Sequence, residues 1–202
     1  MRKLIISTIV LLFTATALLA DGYKVGDKAT DFKLLNVDGK MISMSELDEA
    51  KGVILIFTCN HCPYSKLYED RIIALDRKFK FNGYPVVAVN PNDSIRQPED
   101  SYSKMQVRAK EKGFTFPYLL DADQSIARAY GAAYTPHVFL LEKEGDDFIV
   151  KYIGAIDDNA KNPEAVEERF VENAIQDLFK GNDPSVNYAK GIGCSIKWAE
   201  KD

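Results

Sequence analysis

Cys59 and Cys62 stand three residues apart in the run Thr58-Cys59-Asn60-His61-Cys62-Pro63. On the first turn of a helix this spacing holds the two α-carbons about 5–6 Å apart, which suits a disulfide. A helix N-terminus offers unpaired N–H groups and partial positive charge, and both favour a thiolate over a thiol. A thiolate of low pKa is the species that attacks a disulfide. The pattern therefore predicts a reversible dithiol–disulfide couple. Cys59, the outer residue, is expected to be the nucleophile, and Cys62, one turn further in, to resolve the mixed disulfide. Asn60 and His61 are expected to tune the pair. An imidazole beside a thiolate donates a hydrogen bond and, when protonated, adds positive charge. Both effects lower the thiol pKa and stabilise the reduced form, so the couple should be more oxidising than one with a Gly-Pro insert.

Other uses of the two cysteines fit less well. A disulfide across one turn closes a very small loop and stabilises little. A structural zinc site needs four ligands. The remaining soft or nitrogen ligands are Cys194, His61 and His137, and no second C-x-x-C exists. No metal and no other cofactor is expected. Cys194 leaves the count odd. It is read either as a resolving thiol that reaches Cys59 or Cys62, or as a small buried residue that helps to dock the tail.

The elements that must position these residues alternate along the chain. Phe32–Leu35 and Met41–Met44 read as strands joined by the turn Asn36-Val37-Asp38-Gly39, since Asp-Gly supplies tight-hairpin geometry. Ser45 is expected to cap a short helix over Glu46–Ala50. Val53–Phe57 is an unbroken apolar run, the signature of a strand buried on both faces. Pro63 suits a first helical turn, and Leu67, Ile72, Leu75 and Phe79 mark an apolar helix face that ends at Asn82-Gly83. Tyr84–Val89 is the next strand. Ser101–Lys112 and Ser125–Tyr130 read as helices around a short extended piece, Tyr118–Leu120. Thr135-Pro136 leads into a strand over His137–Leu141, with Phe148–Ile153 returning antiparallel. Pro163–Lys180 reads as one long helix with Val166, Phe170, Ala174 and Phe179 among its apolar positions, followed by a tail over 181–202. The order gives an α/β fold: a central mixed β-sheet flanked by helices, with an N-terminal β-hairpin extension.

Bulk properties set limits. The chain has 202 residues, enough for one well-packed domain rather than two. It is 46% hydrophobic and 28% charged, a globular composition. Net charge is −4 and the basic residues are dispersed, so no nucleic-acid partner is expected. Residues 1–20 differ from the rest: Arg2 and Lys3 precede an uncharged, mostly apolar run to Ala20. This pattern reads as a signal peptide, although Leu18 is imperfect three residues before the cut. An uncleaved anchor is the other reading, near the lower length limit for a span. Residues 21–202 then form one exported domain, in the periplasm or elsewhere outside the cytoplasm, with no membrane attachment after cleavage.

With these features assembled, the chain resembles the thioredoxin superfamily, and more narrowly the peroxiredoxin-like AhpC/TSA-type redoxins that carry a C-x-x-C. The resemblance rests on Val25-Gly26-Asp27-Lys28-Ala29 with Phe32, the Asn-Val-Asp-Gly hairpin, and Phe57–Pro63. It continues through Tyr130-Gly131, Thr135-Pro136, Gly154–Asn159 and the tail Gly193–Trp198. It implies a thioredoxin-like fold in which Pro136 is cis and packs against the disulfide, with Thr135 offering its backbone to an incoming chain. It also implies oxidoreductase or antioxidant activity. The peroxidatic pattern Pro-x-x-x-Thr/Ser-x-x-Cys is not met: counted back from Cys62 it falls on Cys59 and Leu55, and from Cys59 on Ile56 and Gly52, with Thr58 a nearby substitute hydroxyl. Ordinary thioredoxins carry a buried acid in the strand before the motif, and Val53–Phe57 has none.

The expected function is an exported thiol–disulfide oxidoreductase acting on protein thiols or disulfides, with an electron-transfer partner that the sequence does not name. A thiol peroxidase is the alternative. A metal carrier using Cys59, Cys62 and His137 or His61 ranks third.

Overall fold

The computed structural model describes residues 22–47 and 49–200; the proposed signal segment 1–20 lies outside them. Strand β1 (Lys33–Asn36) and β2 (Met41–Ser43) form the hairpin. β3 (Gly52–Phe57) is followed by helix α1 (Pro63–Phe79) and β4 (Val86–Asn90). Helix α2 (Tyr102–Lys112) leads to β5 (Tyr118–Leu120), and α3 (Ser125–Tyr130) to a two-residue strand β6 (Tyr134–Thr135). β7 (His137–Glu144) and β8 (Asp147–Gly154) make the second hairpin, and α4 (Phe170–Phe179) follows. Two short strands, β9 (Tyr188–Ala189) and β10 (Cys194–Ser195), lie in the tail.

The main sheet runs β2-β1-β5-β4-β3-β7-β8-β9. β3 pairs parallel with β4 and antiparallel with β7, so the sheet is mixed. Its centre explains the apolar run. All six residues of β3 are buried. Ile54 and Ile56 join the core shared with Ile72, Phe79 and Ile175. Val53, Leu55 and Phe57 point to the opposite core with Ala127, Tyr130 and Phe139. Alternate side chains enter opposite layers, so a central strand has no polar positions. This is the thioredoxin-like α/β fold, with helices on both faces of the sheet.

Four local expectations change. The helix expected over Glu46–Ala50 is a 3-10 turn, Met44–Glu46, capped from Ser43 rather than Ser45. The long helix expected from Pro163 begins at Phe170, with only a 3-10 turn over Pro163–Ala165 before it. Between the two, Val166 is the single apolar residue beside Glu167, Glu168 and Arg169, so no apolar stripe holds a helix there. The buried faces also differ in detail. Leu67 is 45% and Phe179 43% exposed; α1 buries Tyr68, Ile72, Ile73, Leu75 and Phe79, and α4 buries Val171, Ala174, Ile175 and Leu178. Finally, the tail is part of the fold. β9 extends the main sheet beside β8, and β10 pairs with β6.

Candidate active site

Cys62 is the N-cap of α1, with Pro63 at the first helical position. A proline there loses no helical hydrogen bond and pushes the preceding residue into an extended conformation, and Cys62 has φ −63° and ψ 124°. The chain thus leaves β3, turns through 58–61 and enters α1 with both cysteines at the helix mouth. Both are free thiols and both are buried.

The Thr135–Pro136 peptide is cis, as the resemblance implies. Thr135 meets both sulfurs with different groups. Its hydroxyl lies 3.1 Å from Cys59 Sγ, and its carbonyl accepts from Cys62 Sγ at 3.3 Å. Ser65 Oγ lies 3.8 Å from Cys59. The hydroxyls at this sulfur are therefore those of Thr135 and Ser65, rather than Thr58.

Asp100 organises the turn. It ends a 3-10 turn (Pro98–Asp100) after β4 and is fully buried. Its Oδ1 accepts the backbone N–H groups of Asn60 at 2.7 Å and His61 at 3.0 Å. Its Oδ2 accepts from Asn92 Nδ2 at 2.7 Å and from His61 Nδ1 at 2.6 Å. A carboxylate only accepts, so Nδ1 carries the proton. That nitrogen is 3.5 Å from Cys59 Sγ, and its short bond goes to Asp100. Asn60 is clamped between the Tyr118 hydroxyl, which donates to it at 3.0 Å, and the Glu99 carbonyl, which it meets at 2.9 Å. The buried acid that β3 lacks thus comes from a different element. Neither Asp100 nor Tyr118 is marked by a motif; Pro98-Glu99-Asp100 reads in sequence only as a loop.

The two thiols titrate as a pair that shares one proton. Cys62 is pushed down to about 4 by the Cys59 thiol, by the Cys194 thiol and backbone N–H, and by the Ser65 N–H at the helix mouth. Cys59 is pushed well up by its hydrogen bond to Cys62, by burial and by the Asp100 carboxylate. The donors around Cys62 favour a charge there, and the Thr135 carbonyl opposes it. The Thr135 hydroxyl favours one on Cys59. Chain position alone points to Cys59.

His137 opens β7 and is buried, stacked on Tyr134 with ring centroids 4.2 Å apart. Burial pushes it down to about 4, so it is a neutral packing group at physiological pH. Cys59, His61 and Asp100 have ligand atoms within 4.8 Å of one another. Both Asp100 oxygens are already filled by four donors, so a cation there would have to displace them.

A Cys-x-x-Cys pair at the head of α1, facing a cis-proline strand in a sheet of this order, defines a redoxin of thioredoxin-like fold. Residues 25–152 match the AhpC/TSA family, and the chain belongs to it. It is similar to the thiol-disulfide oxidoreductase ResA of Bacillus subtilis (strain 168), with 31% identity over 159 residues, covering 71% of this chain and 82% of that one. It is 29% identical over 123 residues to the protein of the same name from Halalkalibacterium halodurans, covering 61% of this chain and 65% of the relative, so it spans just under two thirds of that relative's length. A solved structure of an uncharacterized conserved protein from Geobacillus kaustophilus superposes with a TM-score of 0.82 at 32% identity, covering 94% of this chain and all of that one.

Proposed function

We propose that this protein is a thiol–disulfide oxidoreductase of an extracytoplasmic compartment, working through the Cys59–Cys62 couple on protein thiols or disulfides. The observation that carries this reading is the placement of two reduced sulfurs at one helix N-terminus, both in contact with Thr135. Cys59 retains slight surface, 3% against 0% for Cys62, and is the sulfur that a substrate reaches first. Hydrogen-bonded sulfurs exchange their proton without an outside base. Cys59 therefore attacks as the thiolate once the proton moves to Cys62, forming a mixed disulfide. Cys62 then displaces the substrate sulfur and closes the Cys59–Cys62 disulfide. The relatives named ResA support the activity, and the leader-like run 1–20 supports the location. Among the described residues no helix is long and apolar enough to cross a membrane.

The test is insulin reduction by dithiothreitol, with peroxide consumption measured in parallel. Wild type should accelerate insulin precipitation, and Cys59→Ser and Cys62→Ser should each lose at least nine-tenths of that rate. Undiminished activity in Cys59→Ser would overturn the mechanism. Peroxide turnover without insulin reduction would make the protein a thiol peroxidase instead.

A further inference from the structure

β6 is two residues long, and among the described residues its only partner strand is β10, with Cys194 opposite Thr135 and Ser195 opposite Tyr134. The tail therefore covers the backbone edge next to the reactive sulfurs. An uncovered strand edge is where an extended peptide adds itself to a sheet. Here the chain supplies that peptide itself, and the residue it sets opposite Thr135 is a cysteine, while Thr135 in turn meets both reactive sulfurs.

The segment is shaped for this position. Added to Gly193, a Cβ would stand 2.3 Å from the Thr135 carbonyl oxygen; added to Gly191, it would stand 2.6 Å from the Tyr134 ring. Only glycine lets the backbone lie this close. On either side the strap is pinned. Gly191 N–H donates to the Tyr134 hydroxyl at 3.1 Å. Beyond β10, Ile196 is buried, and Lys197 N–H donates to Asn92 Oδ1 at 2.8 Å. Asn92 also donates to Asp100, which holds the 60–61 turn. Strap and reactive turn thus share one buried network. Cys194 itself is only half-buried.

We propose that the strap around β10 is the internal substrate of the Cys59–Cys62 pair, occupying the β6 edge in place of an external peptide and taking over the disulfide through Cys194. This rests on the oxidoreductase reading above, which supplies the Cys59–Cys62 disulfide by exchange with a substrate disulfide. Cys194, once deprotonated, attacks Cys62 Sγ. The Cys62–Cys194 bond forms as the Cys59–Cys62 bond breaks, and Cys59 leaves as a thiolate and takes up a proton. The number of disulfides is unchanged, so no further oxidant enters. The step moves the disulfide from a buried pair to a half-exposed sulfur. An external strand must displace the strap to use the same edge.

The full-length protein should be equilibrated in a glutathione redox buffer, quenched with acid, alkylated and mapped for disulfides by mass spectrometry. Wild type should contain Cys62–Cys194 beside Cys59–Cys62, and Cys59→Ser should contain Cys62–Cys194 as its one intramolecular disulfide. Gly193→Ala keeps all three thiols but cannot seat the strap. It should lose the Cys62–Cys194 link at least tenfold, keep Cys59–Cys62, and reduce insulin several-fold faster than wild type. Absence of Cys62–Cys194 from both wild type and Cys59→Ser overturns the proposal, as does an insulin rate in Gly193→Ala no faster than wild type. If Gly193→Ala does not fold, the Cys59→Ser map decides. If wild type fails to reduce insulin, the oxidoreductase reading falls, and the linkage map, which needs no substrate protein, still decides whether Cys194 takes the disulfide.

Discussion

Asp100 accepts the His61 Nδ1–H at 2.6 Å, while the Cys59 sulfur lies 3.5 Å from the same nitrogen. The shorter contact holds the proton, and the carboxylate itself sits in a buried site close to Cys59. His61 therefore donates its Nδ1–H to Asp100 rather than to the Cys59 sulfur. Asp100→Asn keeps an acceptor for the two backbone N–H groups and removes the negative charge. The Cys59 thiol should then ionise more easily, raising its alkylation rate near neutral pH roughly tenfold. The couple should become more oxidising. Alkylation kinetics in a Cys62→Ser background and redox titration of the intact pair measure the two effects; an unchanged rate would remove Asp100 from the electrostatics of Cys59.

Thr135→Val keeps the shape and the carbonyl that faces Cys62 but deletes the hydroxyl 3.1 Å from Cys59. That hydroxyl lowers the Cys59 pKa. The variant should fold normally and reduce insulin several-fold more slowly, with Cys59 alkylated more slowly by a similar factor. A variant as fast as wild type would show that the hydroxyl does not assist the attacking sulfur.

Two buried groups give opposite pH dependences. His137 falls to about 4 in the folded protein, below its ordinary value of about 6.5. Between these values the unfolded chain binds a proton that the folded protein refuses. This part of the stability is lost as pH falls from about 6.5 towards 4, by about 3 kcal/mol in all. Asp121 accepts the N–H groups of Ile126 and Ala127 at the start of α3, yet burial raises it to about 6. There the folded protein binds its proton first, so stability is gained as pH falls from about 6 towards the ordinary value near 3.9. Urea unfolding at pH 7 and pH 4.5 should show a small change in wild type, a gain on acidification in His137→Phe and a loss in Asp121→Asn. Parallel behaviour of all three proteins would contradict the assignment.

Asp157, in the segment Gly154–Asn159, anchors the loop after β8 to α1. Arg71 Nη1 donates to its oxygens at 2.6 and 2.9 Å, and the Tyr68 hydroxyl donates to it at 2.9 Å. The Arg71 guanidinium lies over the Tyr68 ring at 3.9 Å and reaches the carbonyls of Asn159 and Ala160. Asp157→Ala leaves a nearly buried cation without its counter-ion. It should cost about 3–5 kcal/mol, read as a lowered urea midpoint with an unchanged slope. Arg71→Met in the same background should restore part of the loss, because the orphaned charge is then gone as well.

The reactive pair, the strand before it and the helix after it were legible in the chain itself. Each is written in residues adjacent in sequence: a spacing of three, a proline at the helix start, an apolar run whose length and β-branching fit a strand buried on both faces. The family resemblance added the thioredoxin-like order of these parts and the place of Thr135-Pro136 beside the pair. Short-range physics does not reach further. Asp100 lies some forty residues from the turn it holds and carries no local mark, because a buried carboxylate is recognised by donors that converge on it only after folding. The start of α4 moved from Pro163 to Phe170 because a helix in the fold persists where it has an apolar face to bury. Leu67 and Phe179 turned outward because the neighbouring layers, not the helical period alone, choose which side chains are covered.

Cys194 shows the division most clearly. Sequence alone supplied an odd thiol between glycines and left it either resolving or merely packed. Tertiary structure brought it opposite Thr135, across 58 intervening residues, and close to Cys62, across 131. A two-residue strand has too little local preference to announce itself. It exists because β6 leaves backbone groups unpaired and because Gly191 and Gly193 allow the tail close enough to pair with them.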